Sequence, residues 1–174
     1  MGICLLEDSE ARMPTLNKIV IGVLVAGAVL AIAMVILLAV LARVSRRTTP
    51  ALGVTDGALT PCPDSPNCVC SQAEDERHAI APIAYAGSME EARVALLSAI
   101  AAMEGASVVT DDVAYIRVEI HVKGFGFVDD AEFVFDEEAQ VIHFRSSARV
   151  PYYDYDVNRK RMEGVRAAFE VTSN

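Results

Sequence analysis

The longest run of apolar residues lies near the beginning of the chain. It comprises 24 residues without a charged side chain, beginning at Ile19 and ending at Ala42. As an α-helix this run would be about 36 Å long, enough to cross a hydrocarbon core of about 30 Å. A core helix of a soluble protein would carry a polar stripe, and this segment has none. The pattern predicts a tail over residues 1–18, a transmembrane helix over residues 19–42 and a juxtamembrane linker over residues 43–60.

A cleavable signal peptide is the alternative reading of this segment. Val40-Leu41-Ala42 could serve as a cleavage site. The apolar region of a signal peptide spans about 7–15 residues, and this one is longer. The length therefore favours a retained single-pass anchor, and we expect residues 19–42 to contact the lipid bilayer.

In residues 61–174 the apolar side chains recur with the spacings of helices and strands. Ser88 and Glu91 can form a capping box at the start of a helix, which Gly105 can stop. Strands are predicted over residues 107–110, 113–122, 127–135 and 141–150, with a short strand over residues 80–85 and a final helix over residues 156–170. In residues 113–122 apolar and polar side chains alternate, which predicts one buried and one wet face.

These elements define an α+β fold class. Strands joined by short turns pair antiparallel, and two amphipathic helices can bury their apolar stripes on one face of the resulting sheet. We therefore expect residues 61–174 to form a two-layer domain, with an antiparallel sheet of four or five strands and two helices on one face.

Charge narrows the classes of partner. Residues 51–174 contain 10 Lys and Arg against 21 Asp and Glu, a net charge of −11. Such a domain repels nucleic-acid phosphates and anionic headgroups, so we expect no nucleic-acid partner. Basic residues flank the apolar run on both sides, and the small excess after it favours a cytoplasmic domain by the positive-inside rule.

Three cysteines point to the opposite side of the membrane. Cys62, Cys68 and Cys70 fall within nine residues of a Pro-rich segment. A disulfide between Cys62 and Cys68 would persist only in an oxidising compartment, and this favours a periplasmic domain. Reduced thiols and a metal site with His78 are the alternatives. The spacing is not a standard zinc pattern, and we expect no metal and no cofactor.

Candidate binding residues cluster near the end of the chain. Arg145 and Arg149 lie four apart in a predicted strand, so both should project from one face, close to the start of the last helix. This arrangement could bind a carboxylate or phosphate. Alternatively, these residues and Arg161 form a structural ion network with Asp129, Asp130 and Asp154.

An aromatic cluster follows the predicted last strand. Tyr152, Tyr153 and Tyr155 could bind a partner or pack on the last helix. A catalytic pair of Cys68 with His78 would lack an evident third residue, so we predict no catalytic residues.

Two long motifs resemble a known family. Cys62-Pro63-Asp64-Ser65-Pro66-Asn67-Cys68-Val69-Cys70-Ser71-Gln72 resembles the opening signature of the domain-of-unknown-function 1499 family. The run from Arg145 to Val150, followed by Asp154, Asn158-Arg159-Lys160-Arg161 and Glu163, resembles its closing signature, and Asp129-Asp130 matches between them. The resemblance spans residues 61–169. It implies a small bacterial or chloroplast protein, often with an export or membrane segment, and no agreed activity.

The sequence departs from the family pattern in several places. Cys70 stands where Ser is usual, and Pro151 stands where Gly is common. Tyr152, Tyr153 and Tyr155 make the following turn unusually aromatic. We expect a non-catalytic interaction module in a bacterial inner membrane, serving as accessory or scaffold subunit of a larger membrane assembly such as a photosynthetic or respiratory one. The alternative is a small-anion-binding protein or hydrolase that uses the Arg145 and Arg149 face.

Overall fold

The computed structural model describes residues 7–48, 50–124, 126–150 and 155–172, with side chains from Leu16 onward. The chain divides into two compact units, Met1–Val40 and Leu41–Asn174. Helix α1, Glu7–Arg47, runs through the described part of the first unit. Its stretch Leu16–Arg47 is long and apolar enough to cross a membrane, and its apolar side chains are exposed. By length and composition this helix fits an anchor or a signal sequence.

The second unit is built on an antiparallel sheet of six strands. The strands run in the order β3 (Cys68–Cys70), β8 (Val141–Ala148), β7 (Val128–Asp136), β6 (Tyr115–His121) and β5 (Ala106–Asp111). The sixth strand, β4 (Ile83–Ala84), also pairs with β8. Helices α2 (Met89–Ala101) and α3 (Val157–Thr172) complete the α+β architecture that the sequence predicts.

Both helices pack on one face of the sheet, because apolar side chains alternate with polar ones along the strands. In β6 the buried residues Ile116, Val118 and Ile120 face the helices. The central strands and the two helices fill the rest of this core with large apolar side chains, among them Leu96, Ile100, Phe133, Ile142, Phe144, Met162 and Phe169. We call the opposite side of the sheet the outer face.

Helix α2 begins as predicted and ends early. The Ser88 hydroxyl accepts from the Glu91 backbone N–H, and the Glu91 carboxylate accepts from that of Ser88, which completes the capping box. The helix ends at Ala101, four residues before Gly105. Gly105 instead serves the turn into β5. Its φ of +77° and the backbone oxygen of His121 beside it leave no room for a side chain.

Two elements lie in segments that the sequence predicted as irregular. Strands β1 (Val54–Thr55) and β2 (Ala58–Leu59) form a hairpin within the predicted linker. Asp56 and Gly57 turn it with φ values of 51° and 79°, as the Asp-Gly pair of a type I′ turn requires. Strand β3 lies within the Pro-rich segment of the three cysteines, where the sequence predicted no strand. We call residues 50–61, which contain the hairpin, the strap.

The end of α1 also belongs to the second unit. Ala42 and Ser45 are buried there. The Ser45 hydroxyl accepts from the Val128 N–H at 2.8 Å and donates to the Val128 carbonyl at 3.1 Å, while Arg46 Nη1 donates to the Gly126 carbonyl at 2.8 Å. Residues of the predicted linker therefore bond to the beginning of β7.

Candidate functional site

The outer face carries two rows of polar side chains that cross four strands. The register of the ladders places one residue from each of β3, β8, β7 and β6 side by side. The first row consists of Cys70, Arg145, Glu132 and Arg117. The second row consists of Cys68, Ser147, Asp130 and Glu119. Cross-strand neighbours of opposite charge stabilise such a face.

Arg149 closes the second row. Its Nε and Nη2 donate to the two Asp130 oxygens at 2.6 and 2.8 Å, and Nη2 also contacts Glu119 Oε1 at 2.5 Å. Its Nη1 donates to the Ser45 carbonyl at 3.3 Å. Hydrogen bonds to Asp130 raise the pKa of Arg149 above its ordinary value, so the group stays charged. Arg117 Nη2 is a further partner of Asp130, at 3.0 Å. The guanidinium of Arg149 is thus held by carboxylates of the protein itself.

Glu132 and Arg145 form the centre of the first row. Glu132 Oε1 accepts from the Tyr115 hydroxyl and from the Gly53 N–H, both at 2.7 Å. Glu132 Oε2 lies 3.6 Å from Arg145 Nη1. Within the described residues, neither Glu132 Oε2 nor Arg145 Nε has a hydrogen-bond partner.

Burial dominates the electrostatics of this centre. Glu132 is fully buried, and burial raises its pKa even though Tyr115 and Arg145 oppose the shift. Burial also raises the pKa of Tyr115, and its hydrogen bond to Glu132 adds to the effect. Arg145 is itself buried beside this carboxylate, so its charge is opposed by an acid of the protein itself.

The sheet separates the predicted site residues into two groups. Arg145 and Arg149 share the outer face, as predicted. Asn158 and Arg161 lie on the helix side, where Asn158 Oδ1 accepts from Arg161 Nη1 and from Ser146 Oγ, both at 2.6 Å. The first turn of α3 therefore packs on Ser146 and does not meet the two guanidinium groups of the outer face.

The neighbouring aspartates follow the same division. Asp129 pairs with Arg161 at 2.8 Å on the helix side, and Asp130 pairs with Arg149 on the outer face. Neighbours in a strand point to opposite sides, so the two carboxylates do not form a common site. The structure thus contains two of the ion pairs that the network interpretation requires.

The aromatic cluster is described in part. Tyr155 is 78% exposed and has a φ of +55°. Tyr152, Tyr153 and Asp154 lie outside the described residues.

The cysteine prediction is confirmed, since Cys62 and Cys68 are joined by a disulfide. Cys70 is a buried free thiol whose pKa is raised by burial. His78 Nδ1 lies 2.9 Å from the Asp75 carboxylate, and Nε2 lies 3.1 Å from the Ser65 carbonyl. His78 therefore hydrogen-bonds within the segment that surrounds it, to Asp75 and Ser65. The sulfur of Cys68 is bonded to Cys62 and not to His78. No group of three or more His, Cys, Asp or Glu among the described residues is placed to hold a metal ion.

A Ser–His contact among the described residues resembles a pair of nucleophile and base. Ser71 Oγ lies 3.1 Å from His143 Nδ1 and accepts from the Phe144 N–H at 2.9 Å. The backbone bond holds the oxygen as an acceptor between β3 and β8. The pair therefore joins two strands in this structure.

Sequence reasoning missed Glu132, Tyr115 and Gly53. One signal was available, because Asp130 and Glu132 lie two apart in β7 and alternate with Ala131 and Phe133. Period-two alternation alone places both carboxylates on one face. The role of Gly53 depends on a contact 79 residues away in the chain, which no local pattern encodes.

Comparison with known proteins gives one result. A family model described as "Protein of unknown function (DUF1499)" matches residues 58–169, nearly the whole sheet-and-helix domain. No curated protein and no solved structure matches the chain. The match covers more than half of the sequence and begins inside the strap. This chain therefore belongs to the DUF1499 family of proteins of unknown function.

Proposed function

We propose that this protein is a membrane-anchored, non-catalytic interaction module, an accessory or scaffold subunit of a larger membrane assembly. The observation that carries the proposal is α1. Its apolar stretch exposes large side chains on all sides, among them Leu24, Leu30 and Val35 at 67%, 71% and 66%. Such a surface needs lipid or other apolar helices around it.

The length of the apolar run favours an anchor over a signal peptide. It contains 24 uncharged residues, whereas a signal peptide has about 7–15. The bonds of Ser45 to Val128 give a further reason to keep α1, because cleavage after Ala42 would make Ser45 the third residue of a new, frayed N-terminus.

The disulfide supports an extracytoplasmic domain. Disulfides persist in oxidising compartments such as the bacterial periplasm and are rare in the cytosol. The Cys62–Cys68 bond therefore outweighs the one-residue excess of basic residues after the apolar run. A domain of net charge −11 outside the cytoplasmic leaflet also avoids its anionic headgroups.

The domain also offers exposed apolar side chains at one edge of the sheet to a protein partner. Val108 and Val109 lie on β5, the last strand in the sheet order, and are 42% and 47% exposed, while Val113 beyond it is 73% exposed. Edge strands of monomeric proteins usually carry charges at such positions. The polar rows of the outer face, by contrast, are neutralised within the domain.

Purification of the full chain in a mild detergent, followed by cross-linking and mass spectrometry, tests the partner. We expect a stoichiometric membrane-protein partner that is lost in Val109→Asp and kept in Val171→Asp, a matched change at the exposed end of α3. A strictly monomeric wild-type protein would refute the proposal. Alkaline carbonate should leave the chain in the membrane pellet, and release into the supernatant would refute the anchor.

Sidedness needs an introduced cysteine, because Cys62 and Cys68 are bonded and Cys70 is buried. Val113→Cys in a Cys4→Ser background places a thiol on an exposed position. A membrane-impermeant maleimide should label it in cells whose outer membrane is permeabilised. Labelling only after lysis of the inner membrane would place the domain in the cytoplasm.

A further inference from the structure

The strap is attached to the domain by a small number of contacts. Leu59 is its buried side chain, and the Leu59 N–H donates to Gln72 Oε1 at 2.8 Å. Gln72 Nε2 donates to the Gly57 carbonyl at 3.1 Å, and the Gly53 N–H donates to Glu132 Oε1 at 2.7 Å. Few buried contacts and solvent-facing backbone are the marks of a segment that opens locally.

The disulfide closes the end of the strap onto the sheet. Cys62 directly follows the strap, and Cys68 is the buried first residue of β3, opposite Ser147 of β8. The covalent bond therefore fixes a segment of few contacts to a strand within the sheet. A disulfide that closes a loop stabilises the closed state by restricting the open one.

A cavity of about 280 Å³ lies between the strap and the domain. Ala58, Leu59 and Pro61 line it from the strap side, and Cys70 and Gln72 line it from the domain side. Cys70 thus borders the cavity, while its strand register places it next to Arg145 of the first polar row. Lifting the strap would expose this thiol and remove the Gly53 hydrogen bond from Glu132.

We propose that the Cys62–Cys68 disulfide is a redox latch, which holds the strap over Cys70 and the first polar row and releases it when a dithiol reduces the bond. The dithiol transfers two electrons and two protons, so that Cys62 and Cys68 become thiols and the reductant closes to a cyclic disulfide. Reduction opens the strap and leaves the sheet folded, because the core side chains lie on the other face.

The test measures alkylation of Cys70 by N-ethylmaleimide in the full-length chain in detergent micelles. All proteins carry Cys4→Ser, and peptide mass spectrometry follows the Cys70 site. Hydrogen exchange of β7 amides reports global opening in the same samples. We expect Cys62→Ser/Cys68→Ser, and wild type treated with dithiothreitol, to raise the Cys70 rate by about tenfold or more. Exchange in β7 should stay unchanged.

A matched pair isolates the strap with the disulfide intact. Leu59→Ala removes its buried side chain and should raise the Cys70 rate, whereas Val54→Ala changes an exposed position of the same hairpin and should not. A Cys70 rate in the serine variant no higher than in Val54→Ala would overturn the latch. So would a parallel rise in β7 exchange or loss of the fold, because the disulfide would then hold the whole domain.

Discussion

Replacing Arg149 with methionine removes the guanidinium that holds Asp130, Glu119 and the Ser45 carbonyl together. Methionine retains an unbranched apolar stem of similar length, so the substitution deletes charge and hydrogen bonds with little loss of packing. Asp130 is only 2% exposed and would lose both hydrogen bonds from Arg149. The change therefore leaves a buried carboxylate with fewer partners.

The expected cost follows from these contacts. Removing one partner of a buried ion pair costs about 3–5 kcal/mol, because the other charge stays buried. Arg117 remains 3.0 Å from Asp130, and Glu119 can turn toward water, since its side chain is 29% exposed. We therefore expect a loss near the lower end, about 3 kcal/mol in the free energy of unfolding. A domain of ordinary stability, about 5–15 kcal/mol, would survive it.

The assay is urea unfolding of the full chain in non-ionic micelles, followed by tyrosine fluorescence, because the chain has five tyrosines and no tryptophan. Lys123→Met is the matched control, since Lys123 and its partner Glu104 are 83% and 71% exposed. The control should unfold at the wild-type urea concentration. An unchanged urea dependence of the unfolding free energy would show that Arg149→Met alters stability and not the unfolded state.

A double-mutant cycle separates the ion pair from packing. Asp130→Asn alone should be destabilising, and the double variant Asp130→Asn/Arg149→Met should cost less than the sum of the two single changes. If Arg149→Met cost no more than Lys123→Met, or if the two changes were additive, the pair would be a surface contact. The Arg145 and Arg149 face would then again be available to an anionic ligand.

Three further predictions concern single positions. Burial raises the pKa of Glu132 above the ordinary 4.5, so the folded chain binds this proton more tightly than the unfolded chain. The stabilisation that this proton gives the folded state is fully present below the ordinary pKa and is lost as the pH rises through the raised pKa. In pH-dependent melting, wild type should therefore lose stability relative to Glu132→Gln over that pH range. Gly105→Ala should cost about 2 kcal/mol or more by urea titration, because φ is +77° beside the His121 carbonyl, whereas Gly164→Ala in α3 should stabilise by about 0.5–1 kcal/mol. Ser88→Ala removes the capping box and should cost about 1 kcal/mol in the same titration, with Ser88→Asn as the conservative rescue.

The sequence predicted well those elements in which a pattern repeats over many residues or a capping motif marks the start. Strand β6 shows seven residues of strict alternation, and α2 has a capping box at its start. Strand β3 was missed because three residues between Asn67 and Ser71 are too few to show a period. The β1–β2 hairpin had a usable signal in Asp56-Gly57, but only two residues of strand flank it on each side.

The site residues were harder to predict than the fold. That Arg145 and Arg149 share a face follows from period-two alternation, although β8 ends at Ala148, one residue before Arg149. Which acid each one meets depends on the register across the turn between β7 and β8, and that register selected Glu132 and Asp130 out of 21 acidic residues in the domain. The position of α3 relative to the sheet decided that Ser146, and neither arginine, meets its first turn.

The outer face shows why alternation alone cannot reveal exposure. Polar residues on one side of β6 predicted a wet face, yet Asp130, Glu132 and Arg145 of the neighbouring strands are buried there. The strap and the last turn of α1 contact this face through Gly53 and Ser45, and both contacts join residues about 80 positions apart. These charged side chains can be buried because each guanidinium lies next to a carboxylate of the adjacent strand. Arg145 and Arg149 of the family's closing motif therefore serve as internal partners of Glu132 and Asp130.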